Sequence, residues 1–146
     1  IESAGYAQGI AGNLSIRCRK GFLITPTGKG VANIRAADVV LVEQFNFDEN
    51  ELVRARGRHL PSSETPMHSL IYSELQEVDA IAHIHAPVMG AQTTDEELPY
   101  GSRESALAVL KALKKSKLIN MKGHGAVAVG SNLKSAVAKI INNTTG

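Results

Sequence analysis

Residues 80–85, Ala-Ile-Ala-His-Ile-His, form an unbroken run that ends at Ala86-Pro87. A run of this length with no breaker, closed by a proline, reads as a strand. In a strand, residues i and i+2 share a face and lie roughly 6.7 Å apart along the backbone. His83 and His85 therefore look the same way, together with Ile81, while Ala82 and Ile84 look the other way. Two imidazoles at that spacing can converge on one metal ion at about 2.0–2.1 Å. The same spacing also suits two half-buried histidines that only hydrogen-bond, so this run alone leaves both readings open.

The rest of the chain mixes strands and helices. Residues 14–17 and 22–25 read as short strands around a turn at Arg19–Gly21. Pro26-Thr27-Gly28-Lys29-Gly30 is punctuated as a loop. Residues 38–43 form an apolar run that suits a buried strand, and residues 46–60 are polar, with one further strand expected at Glu51–Ala55. Pro61-Ser62-Ser63-Glu64 has the chemistry of a helix start, because a serine can satisfy free backbone N–H groups and an acid suits the dipole. Met67, Leu70, Ile71 and Leu75 then recur at helical spacing. A second helix is expected over 102–115, with Ala106, Val109, Leu110 and Leu113 on one face. A third follows Ser131, with Leu133, Ala136, Val137, Ile140 and Ile141 on its face. Leu118–Met121 and Ala126–Val129 read as strands on either side of Gly123-His124-Gly125. This mixture argues for a layered α/β or α+β domain, and 146 residues suit one domain with a single core.

Composition excludes several classes of function. Apolar residues make up 43% and charged residues 21%, which is neither a disordered nor a membrane balance. A net charge of +2 argues for neither nucleic acid nor an anionic membrane, yet it tolerates a small anionic substrate. No apolar run is long enough to span a bilayer. There is no signal-peptide pattern, although the chain starts at Ile1 rather than Met. Cys18 is the single cysteine, so no internal disulfide can form, and a reducing, cytoplasmic setting is expected. It sits in a strand-like run and reads as a plain thiol.

His124 strengthens the metal reading. It stands between two glycines, where missing side chains let the backbone approach another element and leave the imidazole presented rather than packed. Three histidines plus a carboxylate or water would make a catalytic metal site with an exchangeable position. Glu64 is the candidate fourth ligand or general base; alternatively, it is a first-turn acid that only favours the helix dipole. His68 lies one helical turn after Glu64 on the same face, so it can back the site or serve as a structural histidine. His59 falls in a polar loop and is expected to be solvated. Gly12-Asn13, Thr27-Gly28 and Ser62-Ser63 are small polar pairs of the kind that bind phosphate through backbone N–H groups, and Lys29 could add charge. Ordinary turn chemistry explains any one of these pairs by itself.

Taken together, the segments resemble the class II aldolase/adducin family, whose type member is a fuculose-1-phosphate aldolase. The resemblance runs through Gly12-Asn13-Leu14-Ser15-Ile16-Arg17, Ile24-Thr25-Pro26-Thr27-Gly28 and Pro61-Ser62-Ser63-Glu64. It continues through Ala82-His83-Ile84-His85-Ala86-Pro87 and Lys122-Gly123-His124-Gly125-Ala126-Val127, in the family's order. It implies a three-layer α/β/α fold around a mixed, largely antiparallel sheet. It also implies a zinc ion on Glu64, His83, His85 and His124, with Glu64 as the acid/base. Gly12, Asn13, Thr27, Gly28, Ser62 and Ser63 would hold a substrate phosphate. The implied reaction is cleavage or formation of a ketose 1-phosphate, through a metal-stabilised enediolate, to dihydroxyacetone phosphate and an aldehyde.

The family also contains sugar-phosphate 4-epimerases, dehydratases, decarboxylases and non-catalytic adducin-like modules. Its 4-epimerases typically carry Asp after the two serines and its dehydratases depart from Ser-Ser-Glu, so Glu64 leans towards an aldolase or a related decarboxylase without excluding the others. The resemblance further implies a four-fold symmetric tetramer. Residues 1–146 are expected to form one domain that lacks the family's N-terminal helix and C-terminal tail. The stretch from His85 to His124 is shorter than in the family's aldolases, which carry a tyrosine-bearing loop there. Tyr100 lies nearby without a clear match.

Overall fold

The computed structural model describes residues 12–144. Eight strands form one sheet in the order β4-β3-β2-β1-β5-β8-β7-β6. The strands are β1 (Asn13–Cys18), β2 (Gly21–Ile24), β3 (Val40–Asn46), β4 (Glu51–Arg56), β5 (Ala80–Ile84), β6 (Gln92–Thr93), β7 (Leu118–Met121) and β8 (Gly125–Gly130). Every pairing is antiparallel except β6 with β7. Three helices complete the fold: α1 (Thr65–Glu74), α2 (Arg103–Leu113) and α3 (Leu133–Thr144).

The unbroken run at 80–84 is explained by its place. β5 lies in the middle of the sheet between β1 and β8, and all five of its residues are buried. The two faces of this centre differ in side-chain size. Ile81, Val127 and Val129 pack with Met67, Leu70 and Ile71 of α1 and with Val109, Leu110 and Leu113 of α2. On the other face Ala80, Ala82, Ala126 and Ala128 leave room for Ala136 and Ile140 of α3. Helices thus cover both faces, and the layered α/β/α expectation holds.

Most expected elements are present with small shifts. β5 stops at Ile84, one residue short of His85, and α3 begins at Leu133 rather than at Ser131. Asp38 belongs to a 3-10 turn at Ala36–Asp38, so the third strand starts two residues later than expected and runs on to Asn46. β6 was not expected at all. It contains only two residues, too few to show a period. Asn120 of β7 fastens the chain between β5 and β6. Its side chain accepts from Val88 N–H and donates to the carbonyls of Val88 and Ala91.

Arg17 fixes the far end of α1. Its guanidinium donates to the carbonyls of Tyr72, Leu75 and Val78, which are left over at and beyond the helix end, and it pairs with Asp79 at 3.2 Å. Cys18 is half-buried with a free thiol. No helix among the described residues is long and apolar enough to cross a membrane.

Candidate metal centre

Glu64 is the residue before α1, and its carboxylate does not cap the helix. Instead Ser62 Oγ accepts from the Glu64 N–H at 3.2 Å, and Pro66 follows in the first turn. The Glu64 side chain is thereby turned inward, where it is only 5% exposed. β5 brings His83 and His85 to it from one side. The turn between β7 and β8 brings His124 from the other.

Gly125 makes that second approach possible. Its φ is 159°, and a β-carbon there would lie 1.9 Å from the Ile84 carbonyl oxygen and 2.8 Å from the His85 Cα. Gly123 has φ 70°, in the left-handed region that favours glycine. The glycines let this turn close against another element as expected, but the His124 imidazole is packed rather than presented, with only 4% of its side chain exposed.

The four groups meet at one point. Glu64 Oε2 lies 2.8 Å from His83 Nε2 and 3.6 Å from His85 Nε2, while Oε1 lies 3.1 Å from His124 Nε2. The four candidate ligand atoms all fall within 4.8 Å of one another. His83 Nδ1 donates to the Ala126 carbonyl at 2.9 Å, which fixes the ring with its Nε2 turned towards the cluster. That Nε2 is also only 3.1 Å from His124 Nε2.

Burial opposes the charge on Glu64, but His83, His124 and His85 outweigh it and hold the carboxyl far below the usual carboxylate range. Burial pushes the His124 pKa down against the pull of Glu64, which favours the neutral imidazole that a metal requires. Three imidazole nitrogens and a carboxylate are the donor set of a divalent transition ion, so the residues present fit one. This arrangement overturns the reading of Glu64 as an acid that serves only the helix dipole.

His85 is the most exposed of the four, with 35% of its side chain accessible. Tyr100 stacks on the His85 ring with centroids 5.8 Å apart, and meets the His124 ring edge-on at 3.9 Å. His124 Nδ1 is buried with no hydrogen-bond partner among the described residues. Packing by Tyr100 therefore contributes to holding that ring.

The three polar pairs also come together. Pro26 and Pro61 form a bridge, with Thr27 N–H donating to Leu60 O and Ser62 N–H to Thr25 O, each at 3.0 Å. Thr25 N–H donates to Leu14 O, which joins the Gly12-Asn13 segment to the same loop. Thr27, Gly28 and Ser63 are exposed, whereas Asn13 and Ser62 are buried. Asn13 does something its sequence context did not reveal: its amide donates to Glu64 Oε2 at 2.9 Å.

Two side chains depart from expectation. Lys29 is paired with the buried Asp38 carboxylate at 3.1 Å, so its charge is already engaged. His59 lies in a loop as expected, but it is half-buried rather than fully solvated, and its Nε2 lies 3.0 Å from the same carboxylate. Asp38 precedes His59 by 21 residues, and no local spacing signals that contact.

Comparison with known proteins agrees with the geometry. Residues 1–100 match the family described as Class II Aldolase and Adducin N-terminal domain. The chain belongs to the class II aldolase and adducin family. It is 31% identical to a 5-methylthioribulose-1-phosphate/5-deoxyribulose-1-phosphate aldolase of Rhodospirillum rubrum, over 94% of this chain and 69% of that protein. It is also 31% identical to an L-fuculose phosphate aldolase of Haemophilus influenzae, over 94% of this chain and 70% of that one. Among solved structures, an L-fuculose 1-phosphate aldolase superposes with a TM-score of 0.78 at 26% identity, covering 98% of this chain and 75% of the other. As a class II aldolase the chain is a lyase, and the Glu64, His83, His85, His124 group is where a metal could bind.

Proposed function

We propose that this chain is a zinc-dependent aldolase that makes or breaks a ketose 1-phosphate, with dihydroxyacetone phosphate and an aldehyde on the other side of the reaction. The observation that carries the reading is the convergence of Glu64, His83, His85 and His124 beside the Ser62-Ser63 helix start. A divalent ion held there would supply Lewis-acid stabilisation of the negative charge that develops on the substrate as the carbon–carbon bond breaks.

The chain's own residues do the rest. His83, His85, His124 and Glu64 would hold the ion. Glu64 is ionised and buried within a cluster of nitrogen donors, so its carboxylate is placed to take or return the proton of the substrate hydroxyl. Thr27, Gly28 and Ser63 offer exposed polar groups for the phosphate, and Ser62 lies beside them at the start of α1. Gly12 leads into Asn13, whose second amide hydrogen would meet a phosphate oxygen while the first stays on Glu64. The exposed side of His85 gives substrate a way in. The sugar phosphates in the names of both curated relatives support this substrate class. A cytoplasmic, homotetrameric enzyme is part of the same reading, supported by the lone thiol of Cys18 and by the family.

The test is to load the protein with zinc and incubate it with dihydroxyacetone phosphate and a panel of short aldehydes. We expect a new ketose 1-phosphate with at least one aldehyde. Glu64→Gln should lower the rate at least ~100-fold, within the range typical of a lost general acid/base, while dihydroxyacetone phosphate still binds. Zinc-loaded protein that forms no carbon–carbon bond with any aldehyde would reject the aldolase reading.

A further inference from the structure

Behind the metal centre, β1 and the start of α1 face each other in matched steps. Glu64, His68 and Tyr72 are spaced four apart, and Asn13, Ser15 and Arg17 two apart. Four helical residues rise about 6 Å and two strand residues about 6.8 Å, so the two rows stay in step. The result is a continuous buried chain of hydrogen bonds. Tyr72 Oη lies 2.7 Å from Ser15 Oγ, and Ser15 Oγ lies 2.6 Å from His68 Nδ1. His68 Nε2 contacts Asn13 Oδ1, and Asn13 Nδ2 reaches Glu64 Oε2 at 2.9 Å.

The direction of this chain is fixed by what each group can do. An ionised carboxylate only accepts, so Asn13 must give its N–H to Glu64 and turn its carbonyl oxygen back to His68. That oxygen only accepts, so His68 must carry its proton on Nε2. His68 is fully buried and holds a single proton, so its Nδ1 accepts the hydroxyl hydrogen of Ser15. Ser15 then accepts from Tyr72. Each member holds the next in one orientation.

We propose that His68 is a positioning residue for the metal centre: through Asn13 it fixes the Glu64 carboxylate and assigns Oε2 to the side of His83 and His85. The proposal rests on the metal-centre reading. Partners behind a metal ligand typically contribute about 10–100-fold in affinity or activity.

Zinc affinity, measured by competition with a chelating dye, is the readout, with turnover as a second. His68→Leu keeps much of the bulk and removes the donor. It should weaken zinc binding about ten-fold or more, with kcat reduced by a similar factor. His68→Gln restores an N–H to Asn13 and should return zinc affinity to within about three-fold of the parent. Zinc binding by His68→Leu within about two-fold of the parent would overturn the proposal, as would Gln performing no better than Leu. Should the leucine variant not fold, histidine nitrogen NMR of the unaltered protein decides. A bare Nδ1 and a protonated Nε2 on His68 at neutral pH are expected; the opposite tautomer would contradict the chain. Failure of the metal-centre reading is distinguishable, because the unaltered protein would then bind no zinc.

Discussion

At position 125 a single methyl group separates a closed cluster of candidate metal ligands from a broken one. A β-carbon there would sit 1.9 Å from Ile84 O on the neighbouring strand, and the backbone φ of 159° already disfavours a side chain. Gly125→Ala should therefore cost on the order of 3 kcal/mol or more, as a backbone clash with no soft neighbour to move. Urea unfolding measures this; a loss under about 1 kcal/mol would mean that β8 can shift away from β5 without penalty. Residues of this kind were legible in the sequence because the signal is local. His83 and His85 announce a shared strand face by spacing alone, and the glycines around His124 announce a close approach. His68 and His59 were less legible because their partners are distant. His68 reaches Glu64 only through Asn13, 55 residues away from it, and His59 finds Asp38 across a turn.

At the scale of the element, α1 is preceded by the buried Glu64 carboxylate and carries the groups behind it. Its buried row includes His68, whose pKa is pushed down to about 3, mainly by burial. An unfolded histidine titrates near 6.5, so between these values the unfolded chain binds a proton that the folded chain refuses. The contribution of His68 to stability is thus fully present above pH ~6.5 and is lost as the pH falls towards ~3, at about 1.4 kcal/mol per pH unit. Between pH 6 and 5, the parent should lose stability more steeply than His68→Gln by close to that slope. Parallel stability curves for the two proteins over this interval would show that His68 is charged in the fold. The sequence foretold the apolar stripe of α1 through Met67, Leu70 and Ile71, but it showed the polar stripe only as isolated residues. That stripe becomes a chain only when β1 is laid against it, and pairing between elements is not written in either period alone.

At the scale of the molecule, the layered fold followed from alternation of strands and helices and from one buried central strand. The alternating face sizes of β5 and β8 decide which helices cover which side. What the sequence concealed was short or irregular: the two-residue β6, the 3-10 turn at Ala36–Asp38, and the fastening of residues 88–94 to Asn120. These depend on single side chains rather than on patterns. The fold nevertheless brings four residues from three separate stretches to one point, and the whole account turns on that point being a metal centre. Metal analysis of purified protein loaded with zinc and freed of excess tests this most directly. We expect one zinc ion per chain, and less than about a tenth of that in a His83→Ala/His85→Ala variant that still folds, because removing two of four ligands abolishes a tetrahedral site. An unaltered protein that retains no zinc, or a double variant that retains as much as the parent, would contradict the account.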